Sequence, residues 1–328
     1  MPEKQNKKAW IVWTIIGLCV VAVPVGLFAK RGKPSPDEGV SESSWAVKLS
    51  DRIEVINIEG VIADDERESV LSLSRGASST VRKLEKAGSN KKVKGVLLRI
   101  NSPGGTVGSS QELNAAVRKL KKQKPVVASM GDIAASGGYY VACATDKIYA
   151  NPGTLTGSIG VIMSMINIKD LADKVGVQPK VVKSGPFKDI TSMYRPMTDD
   201  ERKILQDLID DSYDQFVTAV SEGRNLKKEE VRKLADGRVY TGRQALALKL
   251  VDKLGTQSDA ITELQNLCKK RYGLEEDLPV DYGSSDGLLS ILLESRAAVL
   301  KPETNLIEEV LPLSLRSRFY RQPLWLAQ

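Results

Sequence analysis

Ser136, in Gly131-Asp132-Ile133-Ala134-Ala135-Ser136-Gly137-Gly138-Tyr139-Tyr140, is the side chain of this sequence best surrounded for chemistry. The β-branched pair Val126 and Val127 precedes it, so the segment reads as a strand that delivers a serine onto the first turn of a helix. Small neighbours let another backbone come close. The amides of Gly137 and Gly138 would lie at a helix start, where unpaired N–H groups favour negative charge and could hold an oxyanion. A serine hydroxyl attacks a carbonyl only when a base takes its proton, and the usual base is histidine. The chain has no histidine. If Ser136 is a nucleophile, its base is a lysine or a carboxylate.

Lys188 is the candidate base. It follows a strand-like run in Val182-Lys183-Ser184-Gly185-Pro186-Phe187-Lys188-Asp189, on a Gly-Pro turn that could direct its side chain inward. A lysine serves as a base only when neutral, which burial of its ammonium favours, whereas most lysines are solvated surface. Ser158, in Thr156-Gly157-Ser158-Ile159-Gly160, reads equally as a turn serine or as a residue that holds the lysine amine. In Asn101-Ser102-Pro103-Gly104-Gly105-Thr106-Val107-Gly108, Pro103 stands where a dinucleotide fingerprint needs glycine, and no phosphate-loop Gly-x-x-x-x-Gly-Lys-Ser/Thr occurs. Two readings stay open there. The glycines form a tight strand-to-helix turn, or Gly104 or Gly105 presents an amide beside Ser136 as a second oxyanion donor, which contributes roughly 3 kcal/mol.

These residues need a scaffold of alternating strands and helices. Arg52 to Ala63, Val93 to Ile100, Val126 to Met130, Lys147 to Ala150, Ser158 to Met163 and Lys180 to Lys183 are strand-like. Helical spacing appears at Leu113, Ala116, Val117 and Leu120, around Glu229 to Asp236 and from Ser258 to Tyr272. Thr198 with Glu201 forms a capping box that opens a long helix, for which Ile204, Leu205, Leu208, Ile209, Phe216 and Val220 are the expected buried stripe. The order is α/β with crossover helices and a largely parallel sheet.

The 328 residues suit a membrane anchor with one sizeable domain, or two small domains. Residues Ala9 to Ala29 are almost all apolar, uncharged and flanked by lysines and arginine, long enough to cross a bilayer and better read as a retained anchor than as a cleaved signal peptide. Basic residues on both sides leave its orientation undecided by charge. The expected division is a basic tail at 1–8, a transmembrane anchor at 9–29, a linker at 30–50, a catalytic domain at 51–282, and a C-terminal helix and apolar tail at 283–328. The net charge of +7 is spread among mixed-sign helices, with basic clusters that lack interleaved aromatic residues, which argues against nucleic-acid binding. With no histidine and three isolated cysteines, a zinc site is not expected, and no cofactor or metal is implied.

Taken together, Ser102-Pro103-Gly104-Gly105, Gly131-Asp132-x-Ala134-Ala135-Ser136-Gly137-Gly138-Tyr139-Tyr140, Thr156-Gly157-Ser158-Ile159-Gly160 and Lys183-Ser184-Gly185-x-x-Lys188 resemble the bacterial signal peptide peptidase A family. Gly237 to Gly242 with Leu250-Val251-Asp252 is similar to a segment of the wider Clp protease and crotonase superfamily, whose repeated ββα core the resemblance implies. It also implies a membrane-anchored serine peptidase with a Ser/Lys dyad that degrades remnant signal peptides on the extracytoplasmic side of the cytoplasmic membrane. By position, Ser136 matches the nucleophile, Lys188 the general base and Ser158 the lysine-orienting serine, with Gly137 and one of Gly104 and Gly105 as oxyanion donors. The chain shows no second copy of these motifs, unlike the long form of the family. The single-repeat form implies a homo-octamer whose serine and lysine come from neighbouring protomers.

Two other classes compete. A crotonase-like acyl-CoA enzyme would use the same amides on a thioester but leaves Lys188 and the anchor unexplained, and a non-catalytic membrane scaffold would make Ser136→Ala silent. The apolar stretch Asn305 to Gln328 is substrate-like in composition and is expected to occupy the active-site groove as an inhibitor or a self-cleavage site.

Overall fold

Continuous apolar runs make buried strands, and four of them build a parallel sheet with helices on both faces. The chain order is β1 (Arg52–Glu59), α1 (Ala77–Ser89), β2 (Val93–Ser102), β3 (Gly104–Thr106), α2 (Val107–Gln123), β4 (Val126–Ala135), α3 (Gly137–Ala142), β5 (Lys147–Ala150) and β6 (Leu155–Gly157). It continues through α4 (Lys169–Lys174), α5 (Asp199–Arg224), α6 (Lys228–Leu234), β7 (Val239–Thr241), α7 (Gly242–Ala247), β8 (Lys253–Leu254), α8 (Gln257–Tyr272), β9 (Val280–Asp281) and β10 (Leu324–Leu326). This computed structural model describes residues 47, 50–64, 76–283 and 324–326.

The main sheet runs β7-β6-β4-β2-β1-β9, with β5 beside the first half of β4 and β8 beside β5. Every pair in it is parallel except β6 with β7. Alternate residues of β2 face opposite ways. Val96, Leu98 and Ile100 join Leu84, Leu113, Val117, Phe216 and Val220 in the larger core, and Leu97 joins Val127, Leu264 and Cys268 under α8.

The register between β2 and β4 shifts between Ile100 and Ser102. Asn101 fills the break, its Oδ1 accepting from the Ile133 amide at 3.2 Å. Beyond it, β4 leaves β5 and pairs with β6, from Ile133↔Leu155 to Ala135↔Gly157. That change of partner carries the end of β4, and with it Ser136, onto a different neighbour.

Three expectations are corrected. Ser158 to Met163 is not a strand, because Ser158 turns to φ 50° and sends its amide to the Arg238 carbonyl at 2.9 Å. Lys180 to Lys183 is not one either; Val181 and Val182 are exposed and meet no ladder. In α5 only the C-terminal half is core. Phe216 and Val220 are fully buried, whereas Ile204 and Leu208 are 40% and 44% exposed, since the helix buries apolar residues only from Phe216 onward.

The expected basic tail 1–8, the anchor 9–29 and the linker 30–50 apart from residues 47 and 50 lie outside the described residues, as do 65–75 of the catalytic domain and 284–323 and 327–328 of the C-terminal segment. Among the described residues no helix is long and apolar enough to cross a membrane. Leu324–Leu326 is a strand that runs antiparallel to β3, with Trp325 opposite Gly105.

Candidate active site

Ser136 stands between β4 and α3 at φ 53° and ψ −119°. A non-glycine residue held there costs about 1–3 kcal/mol, so the surroundings must enforce it. The Ser136 amide donates to the Gly157 carbonyl at 2.8 Å, and its own carbonyl accepts from the Tyr140 amide at 2.9 Å. The helix beyond is pinned in turn. Tyr139 Oη donates to the Leu250 carbonyl at 2.8 Å, Asn114 Nδ2 to the Tyr140 carbonyl at 2.6 Å, and the Tyr140 ring meets Phe216 edge-on at 5.2 Å. Ser136 itself is fully buried, and among the described residues its Oγ has no hydrogen-bond partner. Leaving a buried hydroxyl unpaired costs about 1–3 kcal/mol, which marks a position kept for another group.

The glycine pair of the β2–α2 connection divides into two roles. The Gly104 amide donates to Ser102 Oγ at 3.1 Å. Ile62 takes the flanking groups, its amide donating to the Gly104 carbonyl and its carbonyl accepting from the Thr106 amide, each at 2.8 Å. Successive amides of a strand point opposite ways, so the Gly105 amide faces away from Ile62, on the edge along which Leu324–Leu326 runs. A Cβ at Gly105 would fall 1.8 Å from the Ile62 carbonyl oxygen, and one at Gly137 would fall 2.4 Å from Ser110 Oγ and 3.1 Å from the Gly105 nitrogen. Two glycine backbones thus meet beside Ser136 where no side chain fits.

The structure groups Ser136, Gly137, Gly104, Gly105 and Ser158. Ser158 is buried, and because Ala135 pairs with Gly157 it follows the end of β6 just as Ser136 follows the end of the neighbouring β4. It also forms part of the wall of a cleft of about 700 Å³, with Val161, Ile209, Tyr213 and Val239.

Lys188 is not joined to this group. Its side chain is exposed, on a turn closed by a 3.3 Å bond from its own amide to the Gly185 carbonyl. The turn belongs to an arm between β6 and α5 whose Leu171, Val175, Val177, Val181, Val182 and Phe187 are all exposed.

An ionic cluster that sequence reasoning missed holds the arm. Arg195 bonds Asp189 and Glu201 together, and Lys183 adds a second cation on Asp189. Arg195, then Lys183, hold the Asp189 carboxyl well below the usual range, and Arg195 with the Thr198 amide brings Glu201 down to about 2. A signal was present in the sequence. Lys183, Asp189, Arg195 and Glu201 alternate in sign at a constant spacing of six residues.

Residues 118–271 match peptidase family S49. A candidate signal peptide peptidase SppA of Enterococcus faecium is 34% identical over 313 residues, 90% of each chain. A candidate protease of Synechocystis, slr0021, is 50% identical over 218 residues, 66% of this chain and 75% of the relative. Protease 4 of Haemophilus influenzae is 36% identical over 249 residues, 75% of this chain but 40% of that longer protein.

Proposed function

The chain belongs to peptidase family S49 and is a serine peptidase of the signal peptide peptidase A type, and from that premise we propose a Ser/Lys dyad of Ser136 and Lys188. The observation that carries this reading is the strained, buried and unpartnered hydroxyl of Ser136 in a chain without histidine. Ser136 Oγ attacks the peptide carbonyl while the neutral Lys188 amine takes its proton. The Gly137 and Gly105 amides receive the developing oxyanion, since the Gly104 amide is already committed to Ser102. Lys188 returns the proton to the leaving amine as the C–N bond breaks, and water, deprotonated by the same amine, releases the acyl group. Ser158 holds the amine toward Ser136.

The peptide lies as a strand on the edge of β3. That edge already accepts an antiparallel segment, Leu324–Leu326, which supports recognition of extended backbone. Short apolar peptides, cleaved signal peptides among them, are the proposed substrates. The catalytic core is the ββα repeat of the crotonase and Clp protease superfamily. A single-pass anchor at 9–29 tethers it to the cytoplasmic membrane with the catalytic domain outside the cytoplasm.

Lys188 acts on the Ser136 of a neighbouring protomer in a homo-octamer. The exposed apolar residues of its arm support this, because they suit a second copy better than water. The test is hydrolysis of a short apolar fluorogenic peptide. The expected result is turnover that rises toward alkaline pH and vanishes in both Ser136→Ala and Lys188→Ala; full activity in either variant would remove that residue from the mechanism.

A further inference from the structure

We propose that Arg195 is a positioning residue for the catalytic base, setting where the Lys188 amine is presented by gripping Asp189 next to it. The inference rests on the assignment of Lys188 as the base. Within one protomer, apolar packing does not fix the Lys188 turn, since Val181, Val182 and Phe187 are exposed there. Polar contacts fix it. Arg195 Nε and one terminal nitrogen donate to the two oxygens of the Asp189 carboxylate at 3.0 and 2.9 Å, and the same terminal nitrogen reaches the Asp189 carbonyl at 3.1 Å. The adjoining edge of the guanidinium donates to both Glu201 oxygens, the second terminal nitrogen at 2.8 Å and the shared one at 2.5 Å. Glu201 is in turn fixed as the capping-box residue of α5, accepting from the Thr198 amide at 2.9 Å while Thr198 Oγ1 accepts from the Glu201 amide at 3.3 Å.

One guanidinium therefore ties the residue after Lys188 to the head of a 26-residue helix by two forks. On the near side, Lys183 Nζ bonds both the Pro186 carbonyl at 2.9 Å and Asp189 Oδ1 at 2.6 Å, closing the turn from its other end. A lysine at 195 would keep the charge but could not make two bidentate contacts at once. Positioning of this kind acts on the chemical step rather than on substrate binding, and a displacement of about 1 Å at the reacting group can cost about 10²-fold in rate.

The experiment compares Arg195→Met, Arg195→Lys and Asp189→Asn with wild type and Lys188→Ala, all as the full chain on the apolar fluorogenic peptide. Expected is a fall of about 10–100-fold in kcat for both Arg195 variants, with KM within about twofold, no rescue by lysine, and unchanged size on gel filtration. Asp189→Asn, which keeps the shape and one acceptor for Lys183, should show the same split to a smaller extent if the Arg195 variants do not fold. Wild-type kcat in the folded variants, a raised KM with kcat intact, or full rescue by Arg195→Lys would overturn the proposal. If Lys188→Ala itself keeps wild-type turnover, the assignment of the base fails instead, and the two failures are told apart by that one control.

Discussion

A fully buried serine at φ 53° with an unpaired hydroxyl is costly to keep, and the residues around it are chosen to keep it. Gly105 is the least replaceable. A methyl group there would collide with the Ile62 carbonyl, which is backbone and cannot rotate aside. Gly105→Ala should destabilise the fold by about 1–3 kcal/mol or more and abolish peptide hydrolysis, as urea unfolding and the fluorogenic assay would reveal. The two described cysteines are structural. Burial pushes Cys143 up to about 11 and Cys268 up to about 12, so in the native protein neither should be alkylated by iodoacetamide at pH 8. Peptide mapping should find both modified only after denaturation. Ser136 and the glycines were legible in the sequence because a lone serine among small residues, between a strand and a helix, is poorly suited to packing and well suited to close approach by a ligand. The proposed preference for Gly105 over Gly104 was not, since it depends on Ser102 Oγ turning back to accept from the Gly104 amide.

Among the elements, strands buried on both faces announced themselves, and Val93 to Ile100 and Val126 to Met130 are where their apolar runs put them. The capping box at Thr198 likewise opened α5 as expected. The arm was misread because Lys180 to Lys183 has the β-branched composition of a strand without a sheet to join, and the first half of α5 because the exposed Ile204 and Leu208 have helical spacing without a core to face. Local pattern reports periodicity, not whether another surface lies opposite. The arm's clamp carries an acid dependence. Asp189 and Glu201 have folded values below those of the unfolded chain, so their contribution is complete above about pH 4–5 and is lost as pH falls toward the Glu201 value of about 2. Hydrogen exchange of the amides at 185–192, relative to β2, should be flat from pH 8 to 5 and accelerate below about 4 once corrected for intrinsic exchange. At the other edge, truncation before Asn305 removes β10 and should raise peptide hydrolysis severalfold; an unchanged rate would mean that the segment does not obstruct the β3 edge.

For the molecule as a whole, the separation of an exposed Lys188 from a buried Ser136 makes one chain an incomplete catalyst in the proposed mechanism. Ser136→Ala and Lys188→Ala chains, each inactive, should recover part of wild-type activity when unfolded together and reassembled, because a mixed ring contains some serine-lysine pairs in which both partners are intact. No recovery in rings of the correct size would place both residues in one protomer. The expectation of such sharing comes from the family resemblance alone, since no local pattern says which copy a lysine serves. The seat of Leu324–Leu326 on β3 also bears on how such an enzyme would be kept quiet. A blocking segment that is part of the protein itself is presented at an effective concentration set by its covalent attachment rather than by the amount of protein in solution. A dilute free peptide would then compete poorly, whereas peptides crowded at a membrane surface could reach the level needed to displace it. Activity would follow the local load of substrate with a threshold, and simple dilution of an intact assembly would leave its resting rate per chain unchanged.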